Sequence, residues 1–197
     1  MNRTVFLKAL GSRLFPILRA EGFRGSGSTL RRINDPVVHV FNVQGSSRGK
    51  ECYLNLGAHL LFLPTAGDGQ AIAKSLKEYE CVFRGRFDPP AGLQFGWNYA
   101  QTREDMDETI SFICDHWSIY GHEFFDRFAE YPQSFLKLVE EADETKKHPI
   151  DLLDLARIAV HLGETSRAVV LANEGLRRCP ERATGLKKKL EEILDRL

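Results

Sequence analysis

Apolar residues in the first twenty positions recur at helical spacing: Val5, Phe6, Ala9, Leu10, Leu14, Ile17 and Leu18. The pattern predicts a helix over residues 3–20, with Pro16 expected to kink or divide it. Gly22 is placed to cap its C-terminus, and Phe23 to close over the last turn. Beyond this point the period drops to two. Thr29–Ile33, Val37–Gln44, Glu51–Leu63 and Cys81–Phe87 read as strands. Turn residues separate them at Gly25–Ser28, at Asn34–Pro36, in the Gly/Ser-rich loop 45–50 and at Pro64–Gly69. Ala71–Tyr79 reads as two helical turns. Asp88-Pro-Pro-Ala-Gly92 is a stop, because successive prolines cannot donate to a strand ladder.

The helical period returns near Thr102. Glu104, Asp105, Asp107 and Glu108 crowd the first two turns, where the helix dipole favours negative charge. Ile110, Ile113, Cys114, Trp117, Tyr120, Phe124, Phe125 and Phe128 continue as a stripe that pauses at Tyr131-Pro132. Further helices are predicted over about 133–141, 150–161, 164–177 and 181–197. The charged run 140–148 marks a boundary between an α+β domain, 1–145, and a helical extension, 146–197, expected to dock on it. Leu152 to Pro180 resembles one tetratricopeptide repeat: Ala156, Gly163, Ala168 and Pro180 are spaced for it, although its bulky aromatics are missing and Gly175 weakens the second helix. The expected fold class is α+β, with an antiparallel sheet of about four strands covered by helices on one face. A C-terminal helical hairpin and a final helix follow.

Alternation assigns faces within the sheet. Cys52, Leu54, Leu56, Ala58, Leu60 and Phe62 form one continuous apolar face; Val37, His39, Phe41 and Val43 share a face of the preceding strand. The opposite face is polar where strands are ordinarily apolar. It collects Asn42, Gln44, Tyr53, Asn55, His59, Arg84 and Arg86. Amides are poor strand formers, and arginine offers fork-like donors. This face is the candidate platform for an acidic or carbonyl-rich partner.

The N-terminal helix ending in Glu-Gly-Phe23, then Val40-Phe-Asn-Val-Gln44, Ser46-Ser47 and Tyr53-Leu-Asn-Leu-Gly57, resembles a bacterial family known as domain of unknown function 4304. The strand Cys81-Val-Phe-Arg-Gly-Arg86 and the helix after residue 102 fit as well. The resemblance covers about two thirds of the chain and implies a fold; it brings no activity, cofactor or partner with it.

Composition narrows the function classes. The 197 residues carry 27 Lys+Arg against 27 Asp+Glu, a balance that argues against a dedicated nucleic-acid binder. The widely spaced Cys52, Cys81, Cys114 and Cys179 suit neither a zinc knuckle nor a disulfide framework. The N-terminus lacks the apolar core of a secretory signal, and no apolar run approaches the ~20 residues that span a bilayer, so a cytoplasmic protein is expected. Gly45–Glu51 is too short for a phosphate loop, with Glu51 where a Ser or Thr is required. His122-Glu123-Phe-Phe-Asp126 lacks the second histidine of a zinc helix. No serine elbow is present, and no cysteine has neighbours that would lower its pKa. No catalytic residue, metal ligand or cofactor is assigned. The expected function is a non-catalytic protein-binding module, adaptor-like or immunity-like. The alternative is an enzyme or small-ligand-binding protein that uses the polar sheet face.

Overall fold

Residues 3–47, 49–90 and 96–197 are described by the structure, a computed structural model. Arg48 of the hairpin loop, Met1 and Asn2 of the N-terminal segment, and Ala91 and Gly92 of the expected stop lie outside the described residues. The first helical pattern forms one uninterrupted helix, α1 (Arg3–Ala20), which buries Phe6, Leu10, Leu14, Phe15 and Leu18. Pro16 does not divide it. Pro16 and Ser12 both lie on the exposed side, where water can satisfy the carbonyl that proline leaves without a partner. Gly22, at φ 93°, caps the helix: Phe23 N donates to Leu18 O at 3.0 Å and Gly22 N to Arg19 O at 3.2 Å. These are the two bonds of a Schellman motif.

Among the described residues the sheet has six strands where the sequence suggests about four: β1 (Arg24–Ser26), β2 (Thr29–Asn34), β3 (Val37–Gly45), β4 (Glu51–Leu60), β5 (Phe83–Phe87) and β6 (Trp97–Asn98). β1 to β5 are neighbours in chain order, every pair antiparallel, and β6 pairs with β4. β1 occupies half of the stretch read as a turn, and two-residue β6 is too short to show a period. β4 ends at Leu60 rather than Leu63, because Leu63 N turns back to Leu60 O at 2.9 Å.

The register sets Phe41 opposite Leu56, Val43 opposite Leu54, and Leu54 opposite Phe87. All are buried on one face with α1 and with α2 (Arg103–Asp126). Trp117 of α2 meets the edge of Phe41 with ring centres 5.6 Å apart. The acidic start of α2 is a capping box: Thr102 Oγ1 accepts from Asp105 N at 3.1 Å, and an Asp105 carboxylate oxygen accepts from Thr102 N at 3.3 Å.

The second face is not uniformly wet, which corrects the expectation of one solvated surface. The segment 61–82 covers half of it, packing Ala71, Leu76 and Cys81 on Val38 and Val40. In place of two helical turns this segment is irregular, pinned by Arg31 Nε to Leu76 O at 2.7 Å and ending in a 3-10 turn over 78–80.

Residues 1–128 form one compact unit and 129–197 a second. The division falls before the expected boundary at 145–146, since α3 (Gln133–Glu140) belongs with α4 (Pro149–Leu162) and α5 (Thr165–Arg178). Arg167 of α5 donates to the carbonyls of Val139 and Ala142. Fully buried Ala156, Ala159, Ala168 and Ala172 let α4 and α5 pack closely. Gly175 has a packing role: a Cβ there would meet Leu190 of α6 (Thr184–Leu194) at 2.9 Å. Among the described residues no helix is long and apolar enough to cross a membrane.

Because Leu54 and Leu56 are completely enclosed, Leu54→Ala will destabilise the chain by ~2–5 kcal/mol in urea denaturation. A loss below about 0.5 kcal/mol would contradict the register, because a one-residue slip turns these leucines outward.

Candidate functional site

The uncovered half of the second face is built by β3, β4 and β5. Alternation aims Gln44, Tyr53, Asn55, Arg84 and Arg86 at it, and the register brings three strands' side chains within reach of each other. Asn55 Nδ2 donates to Gln44 Oε1 at 2.9 Å, and Arg86 Nε donates to Asn55 Oδ1 at 3.3 Å. The Arg86 guanidinium lies 4.5 Å above the centre of the Tyr53 ring, and the Tyr53 hydroxyl donates to a Glu51 carboxylate oxygen at 2.9 Å. The result is a continuous polar ladder, Gln44–Asn55–Arg86–Tyr53–Glu51. Asn55 is 4% exposed, whereas the two residues it bonds, Gln44 and Arg86, are exposed.

Arg84 stands one pleat along β5 on the same face, opposite Gly57. It is exposed and makes no hydrogen bond or ion pair with another described residue. Beside it lies Glu78, on the 3-10 turn that crosses Gly57. Burial raises the Glu78 carboxyl above its ordinary value, against the pull of the Arg84 and Arg86 charges. Nothing in the polar run Lys77–Glu80 singles this residue out. The one sequence signal is Gly57, since glycine inside a strand marks a close backbone approach.

Two of the seven expected residues stand elsewhere. Asn42 turns toward β2, donating to Thr29 Oγ1 at 2.8 Å and to Ser28 O at 3.3 Å. His59 is fully enclosed under the covering segment. Its Nδ1 accepts from Val82 N at 3.3 Å, which makes Nε2 the protonated nitrogen that donates to Leu63 O at 3.2 Å. It therefore belongs to the structure of the cover and not to an accessible face. The physical reason is the segment 61–82, which lies over that half of the sheet.

Several other reactive groups are also committed to the fold. Burial pushes the thiols of Cys52 and Cys81 up to about 12, so neither is a thiolate near neutrality. His122 Nε2 and Trp117 Nε1 both bond the Glu21 carboxylate, at 2.9 and 3.0 Å. His39, on the helix-covered face, accepts at Nδ1 from Arg32 at 3.1 Å, leaving Nε2 to donate to Phe128 O at 3.0 Å. A cavity of about 500 Å³ lies between β6 and the first turns of α2, lined by residues that include Pro89, Trp97, Asp105, Glu108 and Phe112. None of the ladder residues lines it.

Comparison with known proteins bears on the fold. A family described as a domain of unknown function (DUF4304) matches residues 14–127, more than half of the chain. The matched span takes in the whole sheet and α2. No curated protein and no solved structure gives a significant match.

The enclosed His39 predicts an acid sensitivity. Burial first, and the Arg32 charge second, lower it from 6.5 to about 4. The unfolded chain therefore takes up this proton before the folded one as pH falls. Stability from this group is complete above the unfolded value and is lost between the two, by about 3 kcal/mol in all. His59, also lowered by burial, acts in the same direction. Urea midpoints measured from pH 7.5 down to pH 4 will fall with acid, and His39→Gln will flatten that dependence relative to its own value at neutral pH.

Proposed function

The chain belongs to this family, DUF4304, and we propose that it is a non-catalytic protein-binding module that recognises its partner with the open half of the sheet. We place it in the bacterial cytosol, as an adaptor-like or immunity-like protein. The α4–α5 hairpin, which is similar to one tetratricopeptide repeat, is in this reading a structural extension. The ladder carries the proposal. Asn55 is satisfied on both sides, by Gln44 and by Arg86, so the middle of the face is ordered before any partner arrives, and Arg86 and the neighbouring Arg84 still present donors outward. Preorganisation lowers the cost of ordering side chains at an interface. Tyr79, on the turn that bears Glu78, is 58% exposed, and exposed tyrosine is a frequent anchor at protein interfaces.

A second reading, binding of a small acidic ligand, draws on one observation: the raised carboxyl of Glu78 stands beside two guanidinium groups. The two guanidinium groups supply paired donors for a carboxylate or phosphate beside that carboxyl.

The two readings separate in one experiment. Arg84→Ala will alter stability by no more than ~0.5 kcal/mol, and Arg86→Ala will cost ~1–3 kcal/mol, because it leaves the buried Asn55 Oδ1 without its donor and removes the Tyr53 stack. The double variant, used as bait beside the wild type, will fail to retain the partner protein. Affinity measured with that partner will drop by ~1–3 kcal/mol. Equal recovery by both baits refutes the platform. Retention of small anions without any protein partner favours the second reading.

A further inference from the structure

β5 is an open edge, and the register tells which of its backbone groups face outward. Ser46 N bonds Glu51 O at 2.9 Å, Leu61 N bonds Pro36 O at 2.9 Å, and Tyr99 N bonds Lys50 O at 3.2 Å. The first two bonds flank the pairs Gly45–Cys52 and Val37–Leu60, so Cys52 and Leu60 turn their backbone groups away from β3. Even-numbered residues of β4 therefore point toward β5 and β6. Their partners Phe83, Gly85 and Phe87 point inward, and Arg84 and Arg86 direct their N–H and C=O groups out from the sheet. Among the described residues no strand pairs with this outer side.

The two faces flanking the edge differ in chemistry. On the open face stand the exposed Arg84 and Arg86 side chains. On the helix face runs an aromatic ledge from α2. Tyr120 stacks on Phe87 with ring centres 5.1 Å apart, and a Cβ on Gly85 would meet Phe124 at 2.7 Å. Tyr120 is 44% exposed and Ile119 57%. Self-pairing of two such edges is disfavoured by charge. Antiparallel pairing about Gly85 sets Arg84 opposite Arg86 of the second copy, and like charges directly opposite are destabilising.

We propose that the outer edge of β5 receives an extended segment of another protein by strand addition. The segment alternates acidic residues, opposite Arg84 and Arg86, with apolar residues that rest on Tyr120 and Phe124. This deepens the protein-binding reading and rests on it. The geometry fixes a further detail. The addition is antiparallel, like every pairing in the sheet; directly opposite residues then share a face and exchange both bonds at the outward positions, so the acidic residues are the ones whose backbone N–H groups donate to Arg84 and Arg86 O. The intervening apolar residues turn their N–H groups away.

The test uses the full chain and a synthetic ten-residue peptide alternating valine and glutamate. Two relatives of the peptide are N-methylated, one at the glutamates and one at the valines, and a fourth alternates valine and lysine. The expected result is binding by the unmodified and valine-methylated peptides. The glutamate-methylated and lysine peptides will bind at least tenfold more weakly. At saturation, amide hydrogen exchange at Arg84 and Arg86 will slow tenfold or more, while Gly85, already bonded within the sheet, will change little. The peptides carry the test without any variant of the protein. Equal binding of the two methylated peptides, binding with unchanged exchange at Arg84 and Arg86, or no binding of the valine–glutamate peptide each overturns strand addition. The broader protein-binding reading fails separately, when the Arg84→Ala, Arg86→Ala bait retains the same partners as the wild type.

Discussion

A side chain at position 57 would have no room. A Cβ there would lie 2.8 Å from Cys81 Sγ, 3.2 Å from Cys81 Cβ and 3.3 Å from Glu78 Cα. Glycine in the middle of β4 lets the end of the covering segment lie directly on the sheet, and the character of the second face follows from that approach. On one side of the contact, Val38, Val40 and His59 are taken out of water. On the other, the ladder of Gln44, Asn55 and Arg86 remains open. One strand over, on the opposite face, Gly85 does the same for α2, since a Cβ would meet Phe124 at 2.7 Å. Two glycines in adjacent strands thus set how closely each layer approaches the sheet.

The cover also produces a local field that composition conceals. The chain is neutral overall, yet on the open half-face the two arginines are exposed while the carboxylates beside them are half-buried or buried. Of its two carboxylates, Glu51 is engaged by Tyr53, and Glu78 is raised by burial despite two neighbouring arginines. Desolvation at Glu78 outweighs attraction because exposed guanidinium groups are screened by water while the carboxyl is largely enclosed. Net charge is a sum over the whole surface, whereas recognition depends on the few charges that share one face.

Much of this architecture is legible in the sequence because period encodes exposure. The helix 3–20, the alternation of Leu54 and Leu56 and the acidic start of α2 each obey a local rule, and the structure follows it. The open face was readable for the same reason: Gln44, Tyr53, Asn55, Arg84 and Arg86 lie two residues apart on their strands. Illegible features depend on contacts distant in sequence. The segment 61–82 reads locally as a strand end and two helical turns, and nothing local showed that it would instead fold irregularly over His59 and Val40. Asn42 obeys alternation, but its partner on β2 could not be read from it. The break at 128–129 is invisible because the charged run at 140–148 is the more conspicuous local signal, whereas Arg167, 28 positions beyond Val139, ties α3 to the later helices.

Asn55 shows how structural need and recognition divide on this surface. A buried amide in a central strand is costly unless both its donor and its acceptor are matched, at about 1–3 kcal/mol for each group left bare. Gln44 and Arg86 match them, and structural need ends there. Arg84 is not required by that account, since no described residue bonds it. A cation on an edge strand nevertheless has a physical role, because charge is one device that keeps open edges from joining like edges. Arg-Gly-Arg on β5 does this for copies of the same chain. Repulsion between like charges is selective by sign, however, and leaves the edge open to an acidic segment. Like-charge repulsion between copies and attraction for an acidic segment, as the strand-addition proposal requires, thus come from the same two arginines.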